Sequence, residues 1–166
     1  MSSKLVNQEI IPTSEELQPC ANPDQELKQA IQRLNNPNAD WNLHVEAVTN
    51  IRRVVLHHTD LISQQQKFKP ILICVLDAMD NLRSLVSRNA MNCIGEMCVL
   101  LPKLLDPELD TVIPRLMKKY CESIKFYEEE ADKALHKLTD HCSGARSLPV
   151  FTANASHKHA TIRNRS

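Results

Sequence analysis

Along the middle of this chain, apolar side chains return every three or four residues, the period of one buried face of an α-helix. Leu27, Ala30, Ile31 and Leu34 predict a first helix over residues 25–34, ended by Asn35-Asn36-Pro37-Asn38. Val45, Val48, Ile51 and Val55 predict a second, with Asp40 as its N-cap, Trp41 at its first helical position and an end near His57-His58. Ile71, Leu72, Val75, Leu76 and Met79 form the apolar side of a third, which begins between residues 64 and 69, with Pro70 either in its first turn or kinking it. After the turn Asp80-Asn81-Leu82-Arg83-Ser84, capped by Ser84, the stripe Val86, Ala90, Cys93, Met97 and Leu101 predicts the fourth. Pro102 closes it. Asp106-Pro107-Glu108 opens a fifth with a cap, a first-position proline and an acidic first turn, and Pro114 should kink that helix. Ser123-Ile124-Lys125-Phe126 leads to a sixth, whose positive end is complemented by Glu128, Glu129 and Glu130 and whose C-terminal cap is Gly144. A weaker seventh starts near Ala145 or Ser147.

Three of these helices carry the same small-and-apolar order: Ala47, Ile51, Val54; then Ala90, Ile94, Met97; then Ala131, Leu135, Leu138. The spacing, a little over 40 residues, matches the roughly 40–47-residue period of HEAT and armadillo units. The fold class is therefore all-α, a HEAT-like helical repeat array (an α-solenoid) of about three to four helix pairs. Such an array presents rows of loops, so function is expected on loop edges and not in a pocket. Pro12, Pro19 and Pro23 punctuate a polar start, which makes residues 1–24 a flexible leader, residues 25–155 the repeat domain and residues 156–166 a basic tail.

Composition narrows the function classes. Formal charge is zero with His neutral, which gives a nucleic-acid role no global electrostatic support. Aromatics are 4% and glycines number two, too few for a β-sandwich or a base-stacking platform. The six cysteines fall mostly in apolar helical stretches and read as small buried hydrophobes. No apolar leader opens the chain, and Asp77, Asp80 and Arg83 interrupt its best membrane-length candidate. The expectation is a reduced, cytoplasmic, monomeric protein with no membrane contact. No glycine-rich phosphate loop or Gly-x-Ser-x-Gly elbow is present, so no catalytic residue, enzyme activity or cofactor is expected. His57-His58, His141-Cys142 and His157-Lys158-His159 lack metal-ligand spacing, so no metal site is expected and the imidazoles read as surface groups.

Asp40-Trp41-Asn42, the run from Asn81 through Ala90, Leu105-Asp106-Pro107-Glu108-Leu109-Asp110, Glu122-Ser123-Ile124-Lys125-Phe126 and Asp132-Lys133-Ala134-Leu135 occur in this order and register. The series resembles a TOG domain, the HEAT-repeat tubulin-binding module. Within that class it is similar to the TOG array regulators of axonemal microtubules, or crescerins. The resemblance covers roughly residues 25–146 and implies a short member of the family, with about three and a half of six repeats. It implies tubulin or microtubules as partner, and the cytoskeleton, including the cilium or axoneme, as location. The family's tubulin-contacting loops map onto residues 38–41, 81–84 and 124–126, with a fourth near 156–158. The implied tubulin-binding residues are Trp41, Arg83, Ser84, Lys125 and Lys158.

Each of these residues also has a plainer reading. Trp41 is either an exposed anchor or a staple that packs the first turn of its helix. Arg83 and Lys125 are either partner contacts or solvated cations. Arg88, one turn into the fourth helix, reads as a structural ion-pairing residue. A pure scaffold, docking a peptide along a concave face, is the rival to tubulin binding.

Overall fold

The computed structural model describes residues 11–155. The expected basic tail, with Lys158, and the fourth loop lie outside the described residues. Among the described residues every regular element is helical. The longer helices are α1 (Pro23–Leu34), α2 (Trp41–His57), α3 (Gln65–Met79), α4 (Ser84–Leu100), α5 (Leu109–Tyr120), α6 (Lys125–His141) and α7 (Gly144–Ala155). They form HEAT-like pairs α1–α2, α3–α4 and α5–α6, with α7 opening the next. The chain divides into two compact units, Met1–Cys93 and Ile94–Ser166, with the boundary inside α4.

In the first unit, α1 begins two residues earlier than the periodicity suggests. Pro23 fits the first helical position, where the missing N–H costs nothing, and Asp24 and Glu26 favour the positive helix end. Asn36 through Ala39 make the bend into α2. The Asp40 carboxylate then accepts the Asn42 N–H at 3.0 Å, the cap expected of it. Arg33 pairs with Glu46 at 3.3 Å across the hairpin. Ala47, Ile51 and Val54, the weakest copy of the repeat pattern, are fully buried. Pro70 lies inside α3, beyond the first turn. The α3–α4 hairpin is closed by the Ser87 hydroxyl, which donates to the Met79 carbonyl.

Residues 11–22 correct the expectation of a flexible leader. Ser14–Glu16 forms a 3-10 turn, with the Thr13 N–H donating to the Glu16 carboxylate at 2.8 Å. Leu17 and Cys20 are buried. Three side chains of the α2 end hold the segment. Arg52 donates to the Pro12 carbonyl at 2.7 Å, the His57 Nε2 meets the Leu17 carbonyl at 2.7 Å, and the Cys20 N–H donates to the His58 Nε2 at 3.1 Å. The adjacent histidines therefore clamp backbone groups about 40 residues upstream. Burial, helped by a hydrogen bond and the charge of Glu26, pushes the Cys20 thiol up to about 12. Arg52 also donates to the Asn89 Oδ1 at 3.0 Å, and the Asn89 amide donates to Val45 and Thr49. A fully buried guanidinium is tolerated because its donors meet oxygens.

In the second unit, Pro102–Leu105 makes one helical turn and Asp106–Glu108 a 3-10 turn before α5 starts at Leu109. The Asp106 carboxylate is not a cap for its own helix. It accepts the Ser143 N–H, just ahead of α7, at 2.8 Å. Gly144 is likewise not the cap that ends α6: it is the first residue of α7, its φ is not positive, and extended Cys142 ends the helix. Asp106 holds the chain in that extended exit, so no left-handed residue is needed. Ala131 and Leu138 of the repeat pattern are buried and Leu135 half-buried. The Cys142 thiol beside it, together with burial, raises the Cys98 thiol, while Cys98 lowers that of Cys142. Among the described residues, no helix is long and apolar enough to cross a membrane.

Candidate functional site

The first two intra-pair loops of the first unit come together. Trp41 opens α2 and is half-buried, while Arg83 ends the next loop and is exposed. The Arg83 guanidinium carbon lies 5.5 Å from the centre of the Trp41 ring, within cation–π range. Ser84 and Leu85 complete a groove of about 180 Å³ with this pair. Among the described residues Arg83 makes no ion pair. Its charge is held on an aromatic plate and left available to an anion.

The second loop is ordered by its own sequence. The Asp80 N–H donates to the Asp77 carbonyl at 3.1 Å and the Asn81 N–H to the Ala78 carbonyl at 3.2 Å. The Asn81 side-chain oxygen accepts the Arg83 N–H at 2.9 Å, an Asx turn. A cross-loop brace adds to this. The buried His44 meets the Asn36 carbonyl through Nε2 at 3.0 Å, and its Nδ1 lies 3.5 Å from the Asn81 amide nitrogen. The Nε2–H tautomer satisfies both contacts: Nε2 donates to the first loop and Nδ1 accepts from the second. Leu82, between Asn81 and Arg83, is 98% exposed.

Lys125 is in the second unit, where it begins α6. Its side chain is exposed and leans toward Glu129 at 3.9 Å, a weak surface pair. The open cleft beside it, about 580 Å³, is lined by four carboxylates, from Glu122, Glu128, Glu129 and Asp132. Lys119 is spent inside this unit, on Glu122 at 3.0 Å and over the Tyr127 ring at 4.6 Å. The third loop is thus locally acidic, with Ile124 and Phe126 exposed on either side of Lys125. Sequence reasoning picked out Trp41, Arg83 and Ser84, which the fold gathers around one groove. It placed Asn81 and Leu82 in the second mapped loop without singling them out, and it passed over His44. The one signal for Leu82 was an aliphatic residue in an otherwise polar turn; His44 left none, because its partners lie in two different loops.

Comparison with known proteins agrees with this architecture. Residues 24–166 match the family described as CLASP N terminal. The chain is 34% identical over 164 residues to TOG array regulator of axonemal microtubules protein 1 of Mus musculus, covering 98% of this chain and 9% of that protein. Identity to the Homo sapiens protein of the same name is 32% over 148 residues, covering 89% and 8%. To Crescerin-like protein che-12 of Caenorhabditis elegans it is 27% over 140 residues, covering 83% and 11%. The chain spans about a tenth of the length of these relatives. With a family match over most of its length and helix pairs of the HEAT type, the chain belongs to the CLASP N-terminal family.

Proposed function

We propose that this chain is a non-enzymatic tubulin-binding module that contacts tubulin or microtubules through its intra-repeat loops. The observation that carries this reading is the Trp41–Arg83 stack, which joins the first two loops and keeps at the surface a guanidinium with no ion pair among the described residues. An acidic partner supplies what Arg83 lacks, and the cation also speeds encounter. Ser84 belongs to the same groove. Lys125 and Lys158 are the further contacts that the family pattern implies; the carboxylates around Lys125 make it the weaker contributor. The names of the relatives, regulators of axonemal microtubules, support a cytoskeletal location, and the axoneme of the cilium as the specific one. Linked copies of such modules in a longer chain gain from effective concentration, so a single one binds modestly.

The test is size-exclusion chromatography with purified tubulin, comparing the wild type with the double variant Trp41→Ala, Arg83→Ala. Co-elution of the wild type and its loss in the variant are expected. Equal co-elution removes these loops from the mechanism. The scaffold alternative has its own observation, an apolar groove of about 640 Å³ lined in part by Ile31, Pro70, Ile73 and Cys74. Absence of any wild-type co-elution would put that reading ahead.

A further inference from the structure

We propose that His58 is a proton-operated latch on the strap formed by residues 11–22: neutral, it holds the strap at Cys20, and protonated, it lets that end go while Leu17 and Pro12 stay held. The fold turns both rings of the His57-His58 pair onto the strap backbone, in different roles. The His57 Nε2 meets the Leu17 carbonyl at 2.7 Å, and a carbonyl only accepts, so His57 donates. The His58 Nε2 lies 3.1 Å from the Cys20 nitrogen, whose N–H only donates, so His58 accepts and its own proton is on Nδ1. An added proton therefore acts differently on the two rings. On His57 it fills Nδ1 and leaves the donor in place, now charge-assisted. On His58 the open position is Nε2, and filling it sets two N–H groups face to face.

Three observations separate this pair from incidental surface histidines. First, Cys20 is a docking point: its side chain is buried, and its bond to His58 is the nearest to α1 of the three that tie the strap to α2. Second, an amide or carbonyl oxygen would hold the Cys20 N–H at every pH. An imidazole nitrogen makes the hold depend on charge, in the range around pH 6.5 where histidine switches. Third, His58 is half-buried and His57 exposed, so solvent protons reach both rings. The charged groups on the surrounding elements are Glu16 on the strap, Asp24 and Glu26 on α1, Arg52 and Arg53 on α2, Asp60 in the turn after it and Lys67 at the start of α3. The Cys20 thiol, pushed up to about 12 by burial, stays neutral in this range. These charges act through space on both rings and do not change which nitrogen accepts. The sign follows: docking at Cys20 is favoured while His58 is neutral and weakens as pH falls. The latch lies at the far end of α2 from Trp41, roughly 25 Å along a 17-residue helix, and does not rest on the tubulin reading.

The experiment is amide hydrogen exchange of the full chain by NMR from about pH 5 to about pH 8, corrected for the intrinsic pH dependence, with both histidine ring signals followed in the same samples. Protection of the Cys20 amide should fall about two- to tenfold, the scale of one neutral hydrogen bond, with the midpoint of the His58 ring titration. The Glu16 amide, bonded to the Thr13 carbonyl at 3.1 Å within the strap, should keep its protection over the same range. His58→Gln, whose side-chain oxygen accepts whatever the pH, should keep the Cys20 amide protected in acid. His57→Gln should leave the Cys20 profile in place. Unchanged Cys20 protection across the His58 titration overturns the proposal, and the wild type alone decides this even if a variant fails to fold. So does a fall that persists in His58→Gln, or one that follows the His57 ring instead. If Glu16 loses protection together with Cys20, the strap leaves as a whole and the one-ended latch is wrong.

Discussion

Replacing Asn89 by alanine should destabilise the first unit by about 3 kcal/mol, through bonds that a local reading of α4 does not reveal. Asn89 is 1% exposed and makes three bonds within this unit. Its amide donates to the Val45 carbonyl at 3.2 Å and to the Thr49 hydroxyl oxygen at 2.9 Å, and its oxygen accepts from Arg52 at 3.0 Å. The two neutral bonds contribute roughly 0.5–1.5 kcal/mol each, and the charged one roughly 1.5–3 kcal/mol. Part of this is recovered. Val45 still accepts from Thr49 at 2.9 Å, and Arg52 still donates to Pro12 at 2.7 Å. That places the net loss in the lower half of the summed range. Urea unfolding followed by circular dichroism should show a midpoint lower by about 1–2 M with an unchanged slope. Lys125→Ala, which removes an exposed pair with Glu129 at 3.9 Å, serves as control and should stay within about 0.5 kcal/mol. A second readout follows from the same network. Arg52 is what holds Pro12 and keeps that bond in Asn89→Ala, so cleavage after Glu15 and Glu16 by a glutamate-specific protease should speed up in Arg52→Gln more than in Asn89→Ala. A midpoint shift no larger than the control's would refute the reasoning.

Gly95→Ala should raise the melting temperature, since glycine inside a helix costs about 0.5–1 kcal/mol relative to alanine. The added methyl would meet the Lys137 Cδ at 3.1 Å, a flexible side chain that can yield, and the Ala134 backbone at an ordinary 3.8 Å; a lower melting temperature would show that Lys137 cannot move. His136 should titrate above its usual 6.5, because its imidazolium is favoured by a hydrogen bond to the Asp132 backbone and by the charges of Asp132 and Asp140. The sign follows: a raised folded value stabilises the fold fully below the unfolded value and stops doing so as pH rises through the folded one. An NMR titration with a midpoint at or below 6.5 would contradict it.

How much was legible depended on whether an interaction stays within one helix or crosses between segments. The apolar stripes, the Asp40 cap and the buried copies Ala47, Ile51, Val54 and Ala90, Ile94, Met97 are local or periodic, and they could be read directly. So could the loops that carry Trp41, Arg83 and Ser84, because turns announce themselves through Asn, Pro and Ser. The larger errors were long-range. Pro12, Pro19 and Pro23 suggested a loose leader, but proline leaves its carbonyl free to accept, and the donors that pin the segment are on α2. Asp106 looked like the cap of the helix it precedes, whereas its acceptor oxygen serves Ser143, 37 residues later.

The order of residues alone determined an all-α chain of repeated helix pairs, because helical period and capping depend on neighbours three or four positions apart. Only the tertiary structure decided that Arg83 lies on Trp41, that His44 braces the two loops and that Leu82 is left wholly in water. These depend on how α1–α2 packs beside α3–α4. Packing angle and depth come from the summed fit of many buried side chains, a quantity that no single motif encodes.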